Sequence, residues 1–163
     1  MMIDSSRPVE TGMKSTTLCY IRKGGRILML YRNKNKGDGN DGKWLGIGGK
    51  IEPGESPDEC NIREVREETG LELPDAQFLG LIKFRSTDYE DEDMYLYVAE
   101  NFEPADALPE CSEGELRWVS EDEVMSLPMW EGDKYFLGQL LAGRKSVSMT
   151  LSYEGETCTV IEE

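Results

Sequence analysis

The fold of this chain is decided by the stretch from Gly49 to Leu71, which reads GKIEPGESPDECNIREVREETGL. It predicts a glycine-rich loop followed by one helix, residues 57–69, which opens on a proline whose missing N–H costs nothing there. Ser56 can cap the helix N-terminus, and Glu59, three residues later, completes a capping box. Gly70 supplies the left-handed residue that commonly ends a helix.

The predicted helix carries a cluster of acids. At about 100° per residue, Glu64, Glu67 and Glu68 fall on one face. Ile62 and Val65 fall roughly opposite, where we expect them to face the core. Carboxylates this close repel one another, and a hard divalent cation with oxygen ligands would relieve the repulsion. A solvated acidic face, which is common on surface helices, is the alternative.

The same residues match the signature of a known family. Gly49, Glu55 and the run from Arg63 to Leu71 fill every fixed position of the Nudix box, so the chain resembles the Nudix hydrolases. The resemblance implies an α/β fold, the Nudix-type α/β/α sandwich with a central mixed β-sheet. It also implies an enzyme that hydrolyses a nucleoside diphosphate linked to another group and works with Mg²⁺ or Mn²⁺.

Length and composition fit one globular domain. The 163 residues are 38% hydrophobic and 31% charged, as is usual for such domains. We expect a flexible N-terminal arm over residues 1–11 and a single Nudix hydrolase domain over residues 12–163. The chain has no histidine, which excludes Ser-His-Asp and Cys-His catalysis and leaves acid–base chemistry to carboxylates.

Charge and cysteine content restrict the partners and the compartment. The net charge of −15 argues against a nucleic-acid polymer or an anionic membrane as a partner. It permits a small-molecule nucleotide substrate, because bound metal and local arginine or lysine can invert the field at a site. Four scattered cysteines without a CxxC pair indicate a reducing compartment. With no apolar signal segment or membrane span in the sequence, we predict a cytoplasmic protein, monomer or homodimer.

The rest of the chain is predicted to be mainly strands. Apolar runs bounded by turns predict strands over residues 16–21, 26–32, 78–85, 94–99 and 116–119, a short one beginning at residue 44, and a last hairpin over 147–153 and 157–161. The first two strands are expected to form a hairpin. Residues 130–141 predict a C-terminal helix, and a second capping box over residues 120–123 predicts a short helix before it.

Two loops are of interest for a site. Residues 33–43 contain glycine, asparagine and lysine, and form either a plain flexible loop or a mobile basic lip over a phosphate site. Residues 88–93 contain five acids. We interpret them as a solvated hairpin tip, because the glycine and spacing of an EF-hand calcium loop are missing.

The resemblance also implies roles for individual acids. The base that takes a proton from the attacking water is Glu64, Glu67 or Glu113, and a plain exposed loop acid is the alternative for Glu113. Arg63 is expected to orient Glu55 and the helix acids. The implied metal ligands are Gly48, Gly49, Glu64, Glu67, Glu68 and Glu113.

Three further stretches, residues 44–50, 113–118 and 129–133, resemble the MutT-like 8-oxo-dGTP diphosphatases, the oxidised purine nucleoside triphosphatase branch. Trp130 is suited to stack on a base and Asp133 to read its edge, with packing of Trp130 in the core as the alternative. Leu45 replaces a base-reading asparagine of the animal enzyme, and Gly132 replaces one of two aspartates. The candidate substrate-binding residues are Arg32, Leu45, Lys50, Trp130 and Asp133.

These features predict a metal-dependent nucleoside triphosphate pyrophosphohydrolase that releases a nucleoside monophosphate and pyrophosphate, with 8-oxo-dGTP as a candidate substrate. Cleavage of ADP-ribose or dinucleoside polyphosphates is the alternative within hydrolases. A non-catalytic nucleotide-sensing module on the same scaffold would be expected to lose box acids, which this chain keeps. An acidic calcium binder would bind the cation without turnover.

Overall fold

The computed structural model describes residues 3–10, 12–33, 40–100 and 114–162. Within these ranges there are nine strands, two α-helices and one 3-10 turn. The strands are β1 (Lys14–Lys23), β2 (Arg26–Arg32), β3 (Trp44–Leu45), β4 (Ile47–Lys50), β5 (Gln77–Ser86), β6 (Glu92–Ala99), β7 (Gly114–Ser120), β8 (Met149–Glu154) and β9 (Thr157–Glu162). The helices are α1 (Pro57–Thr69) and α2 (Glu131–Leu141), and the turn spans Val124–Ser126.

All the strands of the described residues belong to one mixed sheet. Its order is β3-β2-β1-β6-β5-β8-β9, while β4 also pairs with β1 and β7 also pairs with β2. β1 runs parallel to β6 and β5 runs parallel to β8, and the other pairs are antiparallel. This confirms the mixed sheet and the two hairpins, β1–β2 and β8–β9, that the sequence predicts.

Helix α1 has the bounds and caps that the sequence predicts. The Ser56 hydroxyl accepts a hydrogen bond from the Glu59 N–H at 3.1 Å, and the Glu59 carboxylate accepts one from the Ser56 N–H at 3.0 Å. Gly70 then adopts a φ of 76°, and its N–H donates to the Arg66 carbonyl at 2.9 Å. The helix is therefore fixed at both ends, which holds its acidic side chains in a defined register.

The buried face of α1 differs from a simple apolar stripe. Val65 is buried in one hydrophobic cluster with Cys19 of β1. Ile62 is only half-buried and belongs to neither hydrophobic cluster of the described residues, which corrects the expectation that it faces the core. Glu68 is buried instead, at 6% exposure, because β4 passes beneath the helix and the Gly48 N–H donates to its carboxylate at 3.2 Å.

Helix α2 packs on the opposite face of the sheet. Phe136 and Leu140 are buried in a second cluster together with Tyr20 of β1. The next residue on either side of Tyr20 along β1 belongs to the first cluster, under α1, because successive side chains of a strand point to opposite faces. One sheet between two helices gives the predicted α/β/α sandwich.

The segment before α2 agrees only in part with the prediction of a short helix. Residues 120–123 do not open an α-helix, and Val124–Ser126 form a single 3-10 turn whose N-cap, Glu123, makes no capping hydrogen bond with its side chain. The Ser120 hydroxyl accepts the N–H of Asp122 at 3.3 Å. Such a local turn competes with helix formation, which is why the second capping box is not formed.

The N-terminal residues contact the start of α1. The Ser5 carbonyl accepts a hydrogen bond from the Asp58 N–H at 3.0 Å, and the Tyr97 hydroxyl donates to the Asp58 carboxylate at 2.6 Å. The division of the chain into an arm over residues 1–11 and a domain over residues 12–163 stays a prediction. Within the described ranges, none of the helices has the length and apolar character needed to cross a bilayer.

Candidate functional site

A cavity of about 760 Å³ lies between the sheet and the first turn of α2. Gly48 and Gly49 of β4 line it, so it reaches the lead-in to α1. The structure brings all the candidate substrate-binding residues to this one cavity, although they come from distant parts of the chain. They are Arg32, Leu45, Lys50, Trp130 and Asp133.

The two sides of the cavity differ in chemistry. On the β4 side, Gly48, Gly49 and Lys50 contribute to the wall. On the side of β5, β6, β8 and α2, the wall is aromatic and acidic; its residues include Phe84, Tyr89, Glu90, Glu92, Trp130, Asp133 and Tyr153. A ligand with a charged end and a flat end would match this division.

The two glycines of the lead-in let neighbouring groups approach the backbone closely. A Cβ atom on Gly48 would lie 1.8 Å from the Thr17 carbonyl oxygen of the neighbouring strand β1. A Cβ atom on Gly49 would lie 2.4 Å from the carboxyl carbon of Glu64. The absence of side chains therefore lets α1 approach β4 so closely that a helix carboxylate lies against backbone.

The three helix acids have different environments. Glu64 lies against Gly49, and Glu68 is buried beneath the helix with its Oε2 accepting the Gly48 N–H. The Glu67 side chain is 57% exposed. Across the part of the chain that the structure describes, no three carboxylate or thiol groups converge closely enough to form a cation site as they stand.

Arg63 links the acids to the loop before the helix. Its Nε donates to Glu55 Oε2 at 2.7 Å and its Nη2 to Glu55 Oε1 at 2.9 Å. Its Nη1 donates to Glu64 at 2.8 Å and to Glu67 at 3.3 Å. The hydrogen bonds from Arg63 hold the pKa of Glu55 below its usual range, against the opposing effect of burial. Arg63 therefore offsets the mutual repulsion of the acids and fixes their positions.

The residues present fit a hard divalent cation. The side chains of Glu64, Glu67 and Glu68 and the nearby backbone of Gly48 and Gly49 offer oxygen donors, the ligands that Mg²⁺ and Mn²⁺ prefer. The approach of Glu64 to Gly49, which a single Cβ would prevent, is the kind of close packing that such a site needs. Glu113, the further ligand and base candidate, lies outside the described residues.

Trp130 forms part of the cavity wall at the start of α2. Its indole N–H donates to Asn40 Oδ1 at 2.7 Å, and the Lys43 ammonium lies 4.5 Å from its ring centroid. The rings of Tyr89 and Tyr153 meet it edge-on, with centroids 5.8 and 5.4 Å away. Trp130 thus both packs against the core and faces the cavity, so the two interpretations of this residue are compatible.

Asp133 is a buried acid in the same wall. It is 4% exposed, and burial, followed by the negative charge of Glu92, raises its pKa to about 8, against the opposing effect of Lys43. The Glu92 carboxylate itself accepts a hydrogen bond from the Thr16 hydroxyl at 2.6 Å and pairs with Lys14 at 3.4 Å. At neutral pH Asp133 is therefore mainly protonated, and a protonated carboxyl can both donate and accept.

Sequence reasoning missed several contributors to the cavity. Tyr89, Glu90 and Glu92 belong to the segment interpreted as a solvated hairpin tip, yet they line the wall. The signal that could have found Glu92 is its spacing of two from Met94, which places both on one face of β6. Tyr153 was also missed, because nothing in the C-terminal hairpin sequence singles it out.

Comparison with known proteins identifies the family of this chain. A model of the NUDIX domain matches residues 13–140. The chain belongs to the Nudix family. It is a Nudix hydrolase, and strands β8 and β9 lie beyond the matched residues.

Individual relatives agree with this assignment. The chain is 29% identical over 150 residues to the uncharacterised Nudix hydrolase YvcI of Bacillus subtilis, covering 90% of each protein. It is 32% identical over 121 residues to the oxidised purine nucleoside triphosphate hydrolase of Danio rerio, covering 74% of each. Among solved structures, the mutator MutT protein of Bacillus halodurans superposes with a TM-score of 0.81 at 26% identity, covering 93% of this chain and 98% of that one.

Proposed function

We propose that this Nudix hydrolase is a metal-dependent nucleoside triphosphate pyrophosphohydrolase that acts on oxidised purine nucleotides such as 8-oxo-dGTP. The observation that carries the proposal is the single cavity that joins the glycine lead-in of α1 to Trp130 and Asp133. A triphosphate at one side and a base at the other would use both kinds of wall. The oxidised purine triphosphate hydrolase among the relatives supports the same substrate class.

In this proposal the triphosphate lies beside β4. Lys50 and Arg32, which line the cavity, supply positive charge to its oxygens. Glu64, Glu67 and Glu68 would hold Mg²⁺ or Mn²⁺ with backbone of the lead-in, and Glu113 would complete the set. The bound cation would screen the phosphate charge and polarise the phosphoryl oxygens.

The chain's own acids handle the proton. Water attacks a phosphorus in line with the leaving group, and Glu64, Glu67 or Glu113 accepts the proton that this water loses. Arg63 keeps Glu64 and Glu67 in position through its hydrogen bonds. The products are a nucleoside monophosphate and pyrophosphate.

The base enters the aromatic side of the cavity. Trp130 offers a ring for stacking once the Lys43 ammonium moves from its position over the ring. Asp133, held neutral by burial, offers both a donor and an acceptor to the base edge. Leu45 contributes an apolar contact opposite Leu30 of β2.

A pyrophosphate-release assay tests the proposal. Wild-type protein with Mg²⁺ would be measured against canonical and oxidised nucleoside triphosphates, ADP-ribose and a dinucleoside polyphosphate. We expect the largest kcat/KM for an oxidised purine triphosphate, with the monophosphate and pyrophosphate as products. Near-zero turnover on every triphosphate would overturn the proposal. Turnover on ADP-ribose alone would instead identify the protein as an ADP-ribose hydrolase.

A further inference from the structure

Tyr153 completes the aromatic side of the cavity from an unexpected part of the chain. It belongs to β8, beyond the residues that the family model matches. It is buried and lines the cavity beside Trp130 and Asp133. Its hydroxyl oxygen accepts a hydrogen bond from the Gly132 N–H at 2.7 Å, in the first turn of α2. Trp130, the N-cap of α2, makes no capping hydrogen bond with its side chain. The Tyr153 hydroxyl therefore satisfies one of the backbone N–H groups at the N-terminus of this helix.

This contact explains why residue 132 has no side chain. A Cβ atom on Gly132 would lie 2.6 Å from the Tyr153 hydroxyl oxygen and 2.7 Å from Leu151 Cδ1. Both neighbours are buried in the core, where neither can move aside without disturbing its packing. The Tyr153 hydroxyl therefore lies against the backbone of Gly132, the residue that precedes Asp133 in this wall.

The hydroxyl has a proton to donate. Burial raises the pKa of Tyr153, so the phenol stays protonated at physiological pH. The Gly132 N–H uses the oxygen as an acceptor, and the thiol of Cys158, the cross-strand partner of Tyr153 in β9, influences the pKa of Tyr153. Sulfur is a weak acceptor for the hydroxyl proton. A carbonyl oxygen that enters the cavity would be a stronger acceptor for the same proton.

We propose that Tyr153 is a specificity-determining residue that donates a hydrogen bond to a carbonyl oxygen of the base, so that the site prefers 6-oxopurine to 6-aminopurine nucleotides. This rests on the proposed function in one respect, that the base enters beside Trp130. An amino group in the same place could not accept the Tyr153 proton, and the hydroxyl oxygen to which it could donate already accepts the Gly132 N–H. A site built to make a hydrogen bond rejects the analogue that cannot form it, because its buried polar group is left without a partner.

Deoxyinosine and deoxyadenosine nucleotides give a matched pair of ligands, because their bases differ only in the 6-oxo or 6-amino group and the accompanying N1 proton. We expect the kcat/KM of the wild type to be about tenfold higher for dITP than for dATP, the effect of one discriminating hydrogen bond. Tyr153→Phe should bring this ratio close to one by lowering the value for dITP. Tyr135→Phe, which removes an exposed hydroxyl from α2, should leave the ratio unchanged. A ratio that Tyr153→Phe does not alter overturns the proposal.

A purely structural role for the hydroxyl gives a different result. Loss of the cap would lower the Tm and reduce kcat/KM for both nucleotides alike, leaving their ratio intact. If Tyr153→Phe does not fold, Cys158→Ala gives the complementary test, because it removes the neighbouring sulfur that could compete with the ligand for the Tyr153 proton. It should raise the dITP preference about threefold, and an unchanged preference overturns the proposal.

Binding separates this inference from the proposed reaction. Calorimetric titration with dIMP and dAMP needs neither a metal ion nor turnover. If the enzyme hydrolyses no nucleoside triphosphate, the proposed function fails, yet a preference for dIMP that Tyr153→Phe removes would still support the role of Tyr153. Equal affinities of the wild type for the two monophosphates would overturn that role by itself.

Discussion

Arg63 contacts both oxygens of the Glu55 carboxylate, with Nε 2.7 Å from one and Nη2 2.9 Å from the other. The same Nη2 donates to the Lys50 carbonyl at 3.1 Å, and Nη1 donates to Glu64 at 2.8 Å. Glu55 and Lys50 precede α1, whereas Glu64 belongs to it. One planar guanidinium therefore fastens the helix to its own lead-in, a geometry that lysine cannot reproduce.

Arg63→Lys is expected to lower kcat at least about tenfold and the free energy of unfolding by about 1–2 kcal/mol, because the forked contacts are lost. Arg66→Lys is the matched control, since Arg66 lies on the same helix and makes a forked contact with Glu72, but in solvent. Loss of this exposed contact should leave kcat and the free energy of unfolding nearly unchanged. Urea denaturation and pyrophosphate release measure the two effects. Equal losses in both variants would contradict the positioning role of Arg63.

Gly48 and Gly49 are adjacent, but alanine should have opposite consequences at the two positions. At Gly48 the new Cβ would lie 1.8 Å from backbone, the Thr17 carbonyl oxygen, so we expect little folded protein. At Gly49 it would meet the carboxylate of Glu64, which can swing away. Gly49→Ala should therefore fold with a Tm near that of the wild type, yet lose about 100-fold in kcat through misplacement of Glu64.

The control for these glycines is Gly138→Ala in α2, where the nearest atom to a new Cβ is 3.8 Å away. This variant should keep its activity and gain slightly in stability, because alanine is the better helix former. Thermal melts and initial rates distinguish the three proteins. Full activity in Gly49→Ala would remove the requirement that Glu64 lies against this backbone.

Glu67→Gln separates function from folding. The Glu67 side chain is 57% exposed, so its replacement should leave the Tm unchanged. If Glu67 is a metal ligand or the base, however, the kcat of the variant should fall about 10²–10⁴-fold. Loss of a metal ligand would also weaken Mn²⁺ binding in a calorimetric titration. Glu72→Gln removes an equal charge just beyond the helix and serves as the control. A fully active Glu67→Gln enzyme would exclude Glu67 from both roles.

Asp133 should make stability depend on pH with a defined sign. Its pKa rises from 3.8 to about 8 in the folded protein, chiefly through burial. Between about pH 4 and pH 8 the folded state therefore binds more protons than the unfolded state, and stability falls as the pH rises through this window. Asp133→Asn cannot ionise, so its Tm should fall less between pH 5 and pH 8.

Differential scanning calorimetry at several pH values measures this difference. Glu55, whose pKa is lowered by Arg63, has the opposite effect, since its contribution is lost as the pH falls toward acid. It is common to both proteins and cancels in the comparison. Parallel pH profiles of the wild type and Asp133→Asn would mean that Asp133 is ionised in the folded state.

The sequence predicted α1 to the residue because its signals are local. Ser56 and Glu59 form reciprocal hydrogen bonds within the first turn, and Gly70 ends the helix by adopting a left-handed conformation. The burial of Glu68 could not be predicted in this way. It depends on Gly48, twenty positions earlier, and therefore on how β4 passes beneath the helix.

The position of Glu92 in the acidic segment 88–93 also depends on long-range pairing that local sequence does not show. Composition alone favours solvent for residues 88–93, and Asp88 and Asp91 are indeed exposed. Glu92 differs because β6 begins there and runs parallel to β1, which sets it opposite Lys14. A parallel pair between strands so far apart in the chain leaves no local trace in the sequence.

The candidate substrate-binding residues were found through resemblance rather than through periodicity. Leu45, Trp130 and Asp133 lie in stretches that resemble one branch of the family, and they share a cavity in the structure. Their roles stay predictions until the variants are measured. Tyr153 lies in no such stretch, so only the three-dimensional arrangement of β8 beside α2 reveals it.

The pairing of β8 with β5 bears on how this protein can be shortened. A fragment cut at residue 140, where the family match ends, would lose β8 and β9. β5 would then present a bare edge over residues 82–86, which favours intermolecular strand pairing. We expect such a truncation to precipitate on expression, and we expect the autonomous folding unit to include β8 and β9, which lie beyond the residues that identify the family.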